Sequence, residues 1–299
     1  MTASRTTEPP IWRSMLFLPA HVDKFVSRAH ERGADACILD LEDSVPLALK
    51  ADARSGVQAA AEQVARHATT AVLVRVNQPW SMTQLDLDAA VGPAVRAIVL
   101  PKVNTPEFVR DAARHVDKLE AKLGLPRGHT WLIAQIEDVH ALPRLDEIAL
   151  SSPRLLGMIL GSEDFSASAG MVPTGTTLML PNQMVALACR RAGILPLGFP
   201  GSIAEVADLA ALGEQVRLAR QLGFVGAFCI HPAQVAVLNE GFSPSADEVA
   251  HARGLIEAFE AAEREGRGAA EYRGKMIDAP VVQRARELLR RAPEANSLT

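Results

Sequence analysis

WLIAQIEDVHALPRLDEIALSSPRLLGMILGSED, residues 131–164, carries two apolar runs that each end on an acid. Trp131-Leu-Ile-Ala-Gln-Ile136 stops at Glu137, and Leu155-Leu-Gly-Met-Ile-Leu160 passes through Gly161-Ser162-Glu163 to Asp164. A third run, Ala71-Val-Leu-Val, stops at Arg75. Near-continuous apolar runs, as opposed to alternating ones, are the pattern of parallel strands covered on both faces. An ionised group at the end of such a strand stands at the rim of the sheet, where α/β proteins bind their ligands. Two carboxylates and a guanidinium delivered this way suggest a divalent-metal site beside an anion clamp.

The same reading extends outward to eight strand-like runs, at 14–18, 36–40, 71–76, 97–101, 131–136, 155–160, 194–197 and 226–230. The run at 194–197 is short and holds Pro196. Helical patterns fill the gaps. Val22, Phe25, Val26 and Ala29 form a stripe stopped by Gly33, and Thr105-Pro106-Glu107 opens a helix whose buried face is Phe108, Val109, Ala112, Ala113, Val116 and Leu119. Ser202-Ile-Ala-Glu205 and Ser245-Ala-Asp-Glu248 both read as capping boxes. Strand and helix alternate eight times, and no glycine fingerprint of a dinucleotide fold follows the first strand. The pattern predicts an α/β protein, a (β/α)8 TIM barrel with a C-terminal helical extension. The barrel should span residues 13–240 after a loose Thr- and Pro-rich arm at 1–12. The extension, 241–299, should hold a helix at about 246–265, a polar stretch at 263–274 and a last helix from Pro280 to Arg291. Beyond the needs of a barrel, it is expected to serve as a lid or an oligomer contact.

Composition narrows the function. At 299 residues with 48% hydrophobic and 22% charged content, the chain is ordinary for a globular protein that buries a large core. A formal charge of −4 offers no basic field for nucleic acid or membrane. No apolar stretch approaches the ~20 residues that span a bilayer. Cys37, Cys189 and Cys229 are odd in number and widely spaced, which reads as buried reduced thiols in a cytoplasmic protein.

In a parallel barrel the active site lies at the C-terminal strand ends. The polar residues expected there are Asp40, Glu42, Asp43, Arg75, Asn77, Lys102, Glu137, Asp164 and His231. Five acids beside two or three bases repel one another unless a cation sits among them. No His or Cys pair has zinc-ligand spacing, whereas an all-oxygen site with few protein ligands suits Mg²⁺. Glu137 and Asp164 are the expected metal ligands. Asp40, Glu42 and Asp43 are expected to hold metal waters or Arg75 in place, with Ser162 and Glu163 shaping the turn.

DLEDSV at 40–45, RVN at 75–77, PK at 101–102, IE at 136–137, GSEDF at 161–165 and CIHPAQV at 229–235 occur in this order, framed by RSMLFLP at 13–19 and GKMIDAP at 274–280. In these motifs the chain closely resembles the citrate lyase β-subunit-like branch of the HpcH/HpaI aldolase/citrate lyase family, over nearly its whole length. The resemblance implies a Mg²⁺-dependent carbon–carbon lyase. Such an enzyme cleaves a 3-hydroxyacyl-coenzyme A, such as citryl-CoA, malyl-CoA or a methylated malyl-CoA, into acetyl-CoA or a homologue and a 2-oxo acid. It implies Glu137 and Asp164 on Mg²⁺, Arg75 and Glu137 on substrate, and Asp278 as the acid/base group, reaching a neighbouring subunit in a trimer or dimer of trimers. Asp278 also precedes Pro280 as a helix cap would. Arg13 is the expected contact for coenzyme A phosphates, with Lys24 second. His231 reads as part of a structural Ile-His-Pro turn and Cys229 as a core thiol.

Some positions depart from the family pattern: Ala20-His21 in place of a glycine, Asp138 after the fifth-strand acid, Pro181-Asn182 where an arginine is common, and Gly198-Phe199-Pro200-Gly201 at the seventh strand's end. They spare the metal site and bear on acyl specificity. Readings left open are a malyl-CoA-type thioesterase, a pyruvate-type aldolase of the same superfamily, and a non-catalytic acyl-CoA-binding subunit.

Overall fold

The computed structural model describes residues 9–67 and 69–292. Eight parallel strands follow one another in the order of the chain. They are β1 (Ser14–Pro19), β2 (Ala36–Asp40), β3 (Ala71–Arg75), β4 (Val95–Leu100), β5 (Trp131–Ile136), β6 (Leu155–Leu160), β7 (Leu195–Leu197) and β8 (Ala227–Cys229). The sheet runs from β7 down to β1, with β8 beside β1. Between β7 and β8 the Val225 N–H donates to Pro196 O at 3.1 Å and the Gly198 N–H to Gly226 O at 2.8 Å, so the barrel is nearly closed there. The expected α/β barrel is the fold.

Two apolar layers explain why the runs lack alternation. Met15, Ile38, Leu73, Val99, Ile133, Leu156 and Leu197 belong to a cluster drawn almost wholly from strands, the barrel's inner filling. Leu16, Leu39, Val74, Leu100, Leu132 and Ile136 instead pack with helix residues such as Val57, Leu87 and Val116. With both strand faces buried, every position must be apolar until the strand ends. Side chains alternate along a strand, so the inner rows Ile38–Asp40, Leu73–Arg75 and Ile133–Gln135–Glu137 each turn polar at the same, C-terminal end.

The helix Pro106–Leu123 begins and ends as its sequence dictates. Thr105 accepts the Phe108 N–H at 3.4 Å, Val109, Ala112, Ala113 and Val116 are buried, and Gly124 closes it at φ 68°. Such a cap is worth about 1 kcal/mol. The capping box expected at Ser202 does not form. The Ser202 hydroxyl takes the Ala204 N–H and donates to Glu163, and the helix starts only at Leu209, capped by Asp208. Of the expected arm, residues 1–8 lie outside the described residues, whereas Trp12 is buried in the inner cluster.

The chain divides into two compact units, Met1–Phe242 and Ser243–Thr299. In the second, Ser245 and Glu248 form the capping box of the helix Ala246–Arg264. The stretch expected to be only polar contains a two-stranded hairpin, β9 (Ala270–Tyr272) with β10 (Lys275–Ile277), before the last helix, Ala279–Leu289. This unit has its own core of Leu255, Phe259, Ile277 and Val282. Among the described residues no helix is long and apolar enough to cross a membrane.

Candidate active site

Asp40 ends β2 and Arg75 ends β3, paired in register. Asp40 takes Arg75 Nε and Nη2 at 2.7 Å each, a bidentate pair. Asp40 also accepts the Glu42 and Ser44 N–H groups, which folds the 40–44 loop back on itself. Burial pushes the Asp40 carboxyl up, but the Arg75 guanidinium and these N–H donors outweigh it and hold it below the usual range. Arg75 lies over the Phe17 ring, 4.5 Å from its centroid, a contact typically worth about 1 kcal/mol when half-desolvated. Its remaining nitrogen, Nη1, is 3.1 Å from Glu42 and 3.6 Å from Asp43. All three acids of the 40–43 loop therefore lie within ion-pair distance of one guanidinium.

Glu137 follows β5 and is 5% exposed. Its Oε2 accepts the Lys102 N–H at 2.6 Å and its Oε1 the Gln135 amide at 3.0 Å. Among the described residues no Lys or Arg nitrogen forms an ion pair with it. Burial first, then the negative charges of Glu42 and Asp164, push its carboxyl up to about 7. Gly161 makes the room it occupies. A Cβ there would stand 2.5 Å from Glu137 Cγ and 2.6 Å from Oε1. Asp164 sits in the first turn of the helix Ser162–Ala169, exposed at the end of β6, where the helix dipole favours an acid. Glu163 points aside, to Ser162 and Ser202.

A buried carboxylate held only by neutral donors, with further acids nearby, is under-compensated in charge. A hard cation that accepts few protein oxygens and keeps several waters fits this donor set, so Mg²⁺ suits Glu137 with Asp164. Among the described residues no three His, Cys, Asp or Glu side chains come together as a group that could hold a metal ion by itself.

The remaining expected residues lie on other elements. Arg13 precedes β1 and lies at the opposite, N-terminal end of the barrel, with Asp35 on its Nε and Nη2 at 2.8 and 2.7 Å. A β1 of six residues separates it from the rim, so the expectation that it meets coenzyme A phosphates is corrected. Lys24 is exposed on the short helix Asp23–Val26 after β1, on the rim side. His231 takes the Ala233 N–H in the turn after β8, and Cys229 is buried. Asp278 accepts the Val281 N–H at 3.3 Å and caps the last helix.

Several residues that build the site have no conspicuous motif. The Lys50 ammonium binds Leu41 O, Glu42 O and Asn77 Oδ1 at 2.5–3.0 Å, bracing the acidic loop from below. Asp86, fully buried, receives the Asn77 backbone and side-chain N–H groups and is paired with Arg54 at 2.5 Å. Its signal was available: an acid on the buried face Thr83–Asp86–Leu87–Ala90 of a helix. Gln135 was legible too, as a polar residue two positions before Glu137 on the same strand face.

Residues 13–232 match the family model described as HpcH/HpaI aldolase/citrate lyase. The chain is 37% identical over 285 residues to citrate lyase subunit beta of Escherichia coli K12, covering 94% of this chain and 93% of that protein. It is 32% identical over 302 residues to the L-malyl-CoA/beta-methylmalyl-CoA lyase of Cereibacter sphaeroides, covering 94% of each. Among solved structures it resembles the CitE protein of Mycobacterium tuberculosis in complex with magnesium, acetoacetate and coenzyme A. That likeness has a TM-score of 0.74 and 29% identity, and covers 95% of this chain and 99% of the other.

Proposed function

The chain belongs to the HpcH/HpaI aldolase/citrate lyase family, and from that premise we infer that it is a Mg²⁺-dependent carbon–carbon lyase acting on a 3-hydroxyacyl-coenzyme A. The observation that carries the reading is Glu137: a buried carboxylate with no Lys or Arg at ion-pair distance among the described residues, at the barrel end where chemistry is done, two strands from Arg75 and its acids. Relatives named as citrate lyase beta subunit and malyl-CoA lyase at 32–37% identity support the reaction class.

Cleaving the C2–C3 bond of such a thioester passes the 3-hydroxyl proton to the acid/base group, Asp278, turns C3 into the carbonyl of a 2-oxo acid and leaves the electron pair on the thioester as an enolate. A proton delivered to C2 then completes the acyl-CoA product. When bound, Mg²⁺ supplies a Lewis acid and a template for the oxo acid's oxygens. Glu137 and Asp164 would hold it, with Glu137 fixed by Lys102 N–H and Gln135. Arg75, kept in orientation by Asp40 and Phe17, aims its Nη1 edge at the thioester oxygen. A preorganised donor at such charge is typically worth about 3–4 kcal/mol of barrier. Asp278 delivers the proton at C2, in a homo-oligomer from a neighbouring subunit. In support, one of its oxygens caps a helix while the exposed carboxylate keeps the other for transfer. Asp278→Asn should lower turnover while leaving Mg²⁺ affinity near normal, and unchanged turnover would remove it from the reaction.

The test of the whole reading is incubation with Mg²⁺ and a panel of hydroxyacyl-CoAs, weighing both products by mass spectrometry. An acyl-CoA plus a 2-oxo acid is the expected pair. Free coenzyme A plus an intact hydroxy acid would make it a thioesterase, and no turnover of any member would leave only a binding role.

A further inference from the structure

We propose that Lys102 is a positioning residue that keeps the Arg75 guanidinium open to substrate by drawing Glu42 away from it. The inference rests on the reading above, in which Arg75 meets the thioester oxygen. Lys102 has a backbone that its side chain disfavours. At φ 50° it is left-handed, a conformation that strains a residue with a Cβ and costs glycine almost nothing. Gln78 pins the turn, its amide donating to Pro101 O at 3.0 Å and Lys102 O at 3.1 Å. The turn sends the N–H to Glu137 and the ammonium to Glu42 Oε1 at 2.8 Å, with Asp43 at 3.8 Å.

Glu42 is thus shared between two cations. Its Oε2 stands 3.1 Å from Arg75 Nη1 but is not aligned to accept a hydrogen bond, and it is buried with no other partner. Asp40 already takes one edge of the guanidinium in bidentate fashion. A second carboxylate free of Lys102 would settle along the other edge, the favoured geometry for this pair of groups. Arg75 would then have its outward N–H groups spent on acids. The Lys102 side chain is 42% exposed and that of Glu42 only 7%, so the ammonium meets a buried carboxylate from the solvent side.

Four proteins test this: wild type, Lys102→Met, Lys102→Gly and Lys102→Met with Glu42→Gln. In Lys102→Met, kcat should fall on the order of tenfold while KM and Mg²⁺ affinity, titrated by competition with Mn²⁺, move less than about threefold. The added Glu42→Gln should recover most of that loss, because a neutral amide does not close on the guanidinium. Lys102→Gly should lose the same activity yet melt no lower than wild type, since its backbone is relaxed. A wild-type kcat in Lys102→Met, or no recovery in a double variant that melts normally, overturns the proposal. If wild type turns over no hydroxyacyl-CoA, the lyase reading fails by itself, and a crystal structure of Lys102→Met still decides: Glu42 with both oxygens on Arg75 supports the role, and an unmoved Glu42 ends it.

Discussion

The barrel has a charged cluster at each end, and the two are built to opposite ends. At the N-terminal end Arg154, just before β6, gives Nη1 to Glu120 Oε1 and Thr130 O at 2.7 Å and Nη2 to Glu120 Oε2 at 2.8 Å and to Asp117. Glu120 also takes the Gly128 and Thr130 N–H groups. Every buried charge there meets an opposite charge and its lone pairs are filled. At the C-terminal rim acids outnumber bases, Glu137 has neutral donors only, and Glu42 keeps one oxygen without a hydrogen bond. A closed cluster can only hold strands together. An open one has free energy to gain from a cation and an anionic substrate, which is why barrel chemistry sits at this end.

Breaking each cluster should therefore damage different properties. Glu137→Gln has the largest expected effect, a loss of on the order of a thousandfold or more in Mg²⁺-dependent turnover with the fold intact. Asp164→Asn should act in the same direction. Undiminished activity in both would falsify the metal assignment. Arg154→Met should instead cost about 3 kcal/mol or more of stability by stranding Glu120, read from denaturant midpoints. Its kcat at low temperature should stay near wild type, and a selective loss of Mg²⁺ binding would erase the contrast between the ends.

The third prediction concerns pH. Glu137 ionises at about 7 in the folded protein against an ordinary 4.5. Below about 7 the metal must displace a proton, so Mg²⁺ affinity should be level above that pH and fall by up to about tenfold per unit beneath it. Without metal the sign for stability is the reverse of the usual acid. Between 4.5 and 7 the folded state holds the proton and the unfolded state does not, so this group's contribution to stability declines as pH rises through that window. A Mg²⁺ titration by calorimetry from about pH 5.5 to about 8.5 in roughly half-unit steps checks the first part, and a flat profile would mean Glu137 is not a ligand. Arg13→Ala should have the smallest effect, about 1 kcal/mol of stability for a half-buried pair. If it raised KM for acyl-CoA with the melting temperature unchanged, Arg13 would return to the site.

Much of this was legible beforehand for a physical reason. Strands buried on both faces must be apolar throughout, so β1 to β8 were visible as runs, and Asp40, Arg75 and Glu137 as the points where the runs break. The caps at Thr105 and Ser245 were visible because they act within four residues. Ser202-Ile-Ala-Glu205 had the same pattern and formed no helix, because Ser202 found Glu163, far away in sequence, as a partner. Arg13 is a different case. It stands one residue before the run at 14–18, which already put it at the end of the strand away from the rim, and Asp35, just before β2, holds it there.

The sequence alone determined the barrel, through the alternation of buried strands and capped helices, and marked the acids at its rim, through the cost of burying charge inside a strand. Only the tertiary structure decided how those charges are shared. Whether Glu42 faces Lys102 or Arg75, that Glu120 is paired by Arg154 while Glu137 forms no ion pair, and that Lys102 bends left-handed to reach two acids, all depend on distances between residues up to 60 positions apart in the chain. Local pattern fixes which groups ionise at a strand's end. Electrostatic partnership is set by where the folded barrel brings those ends together.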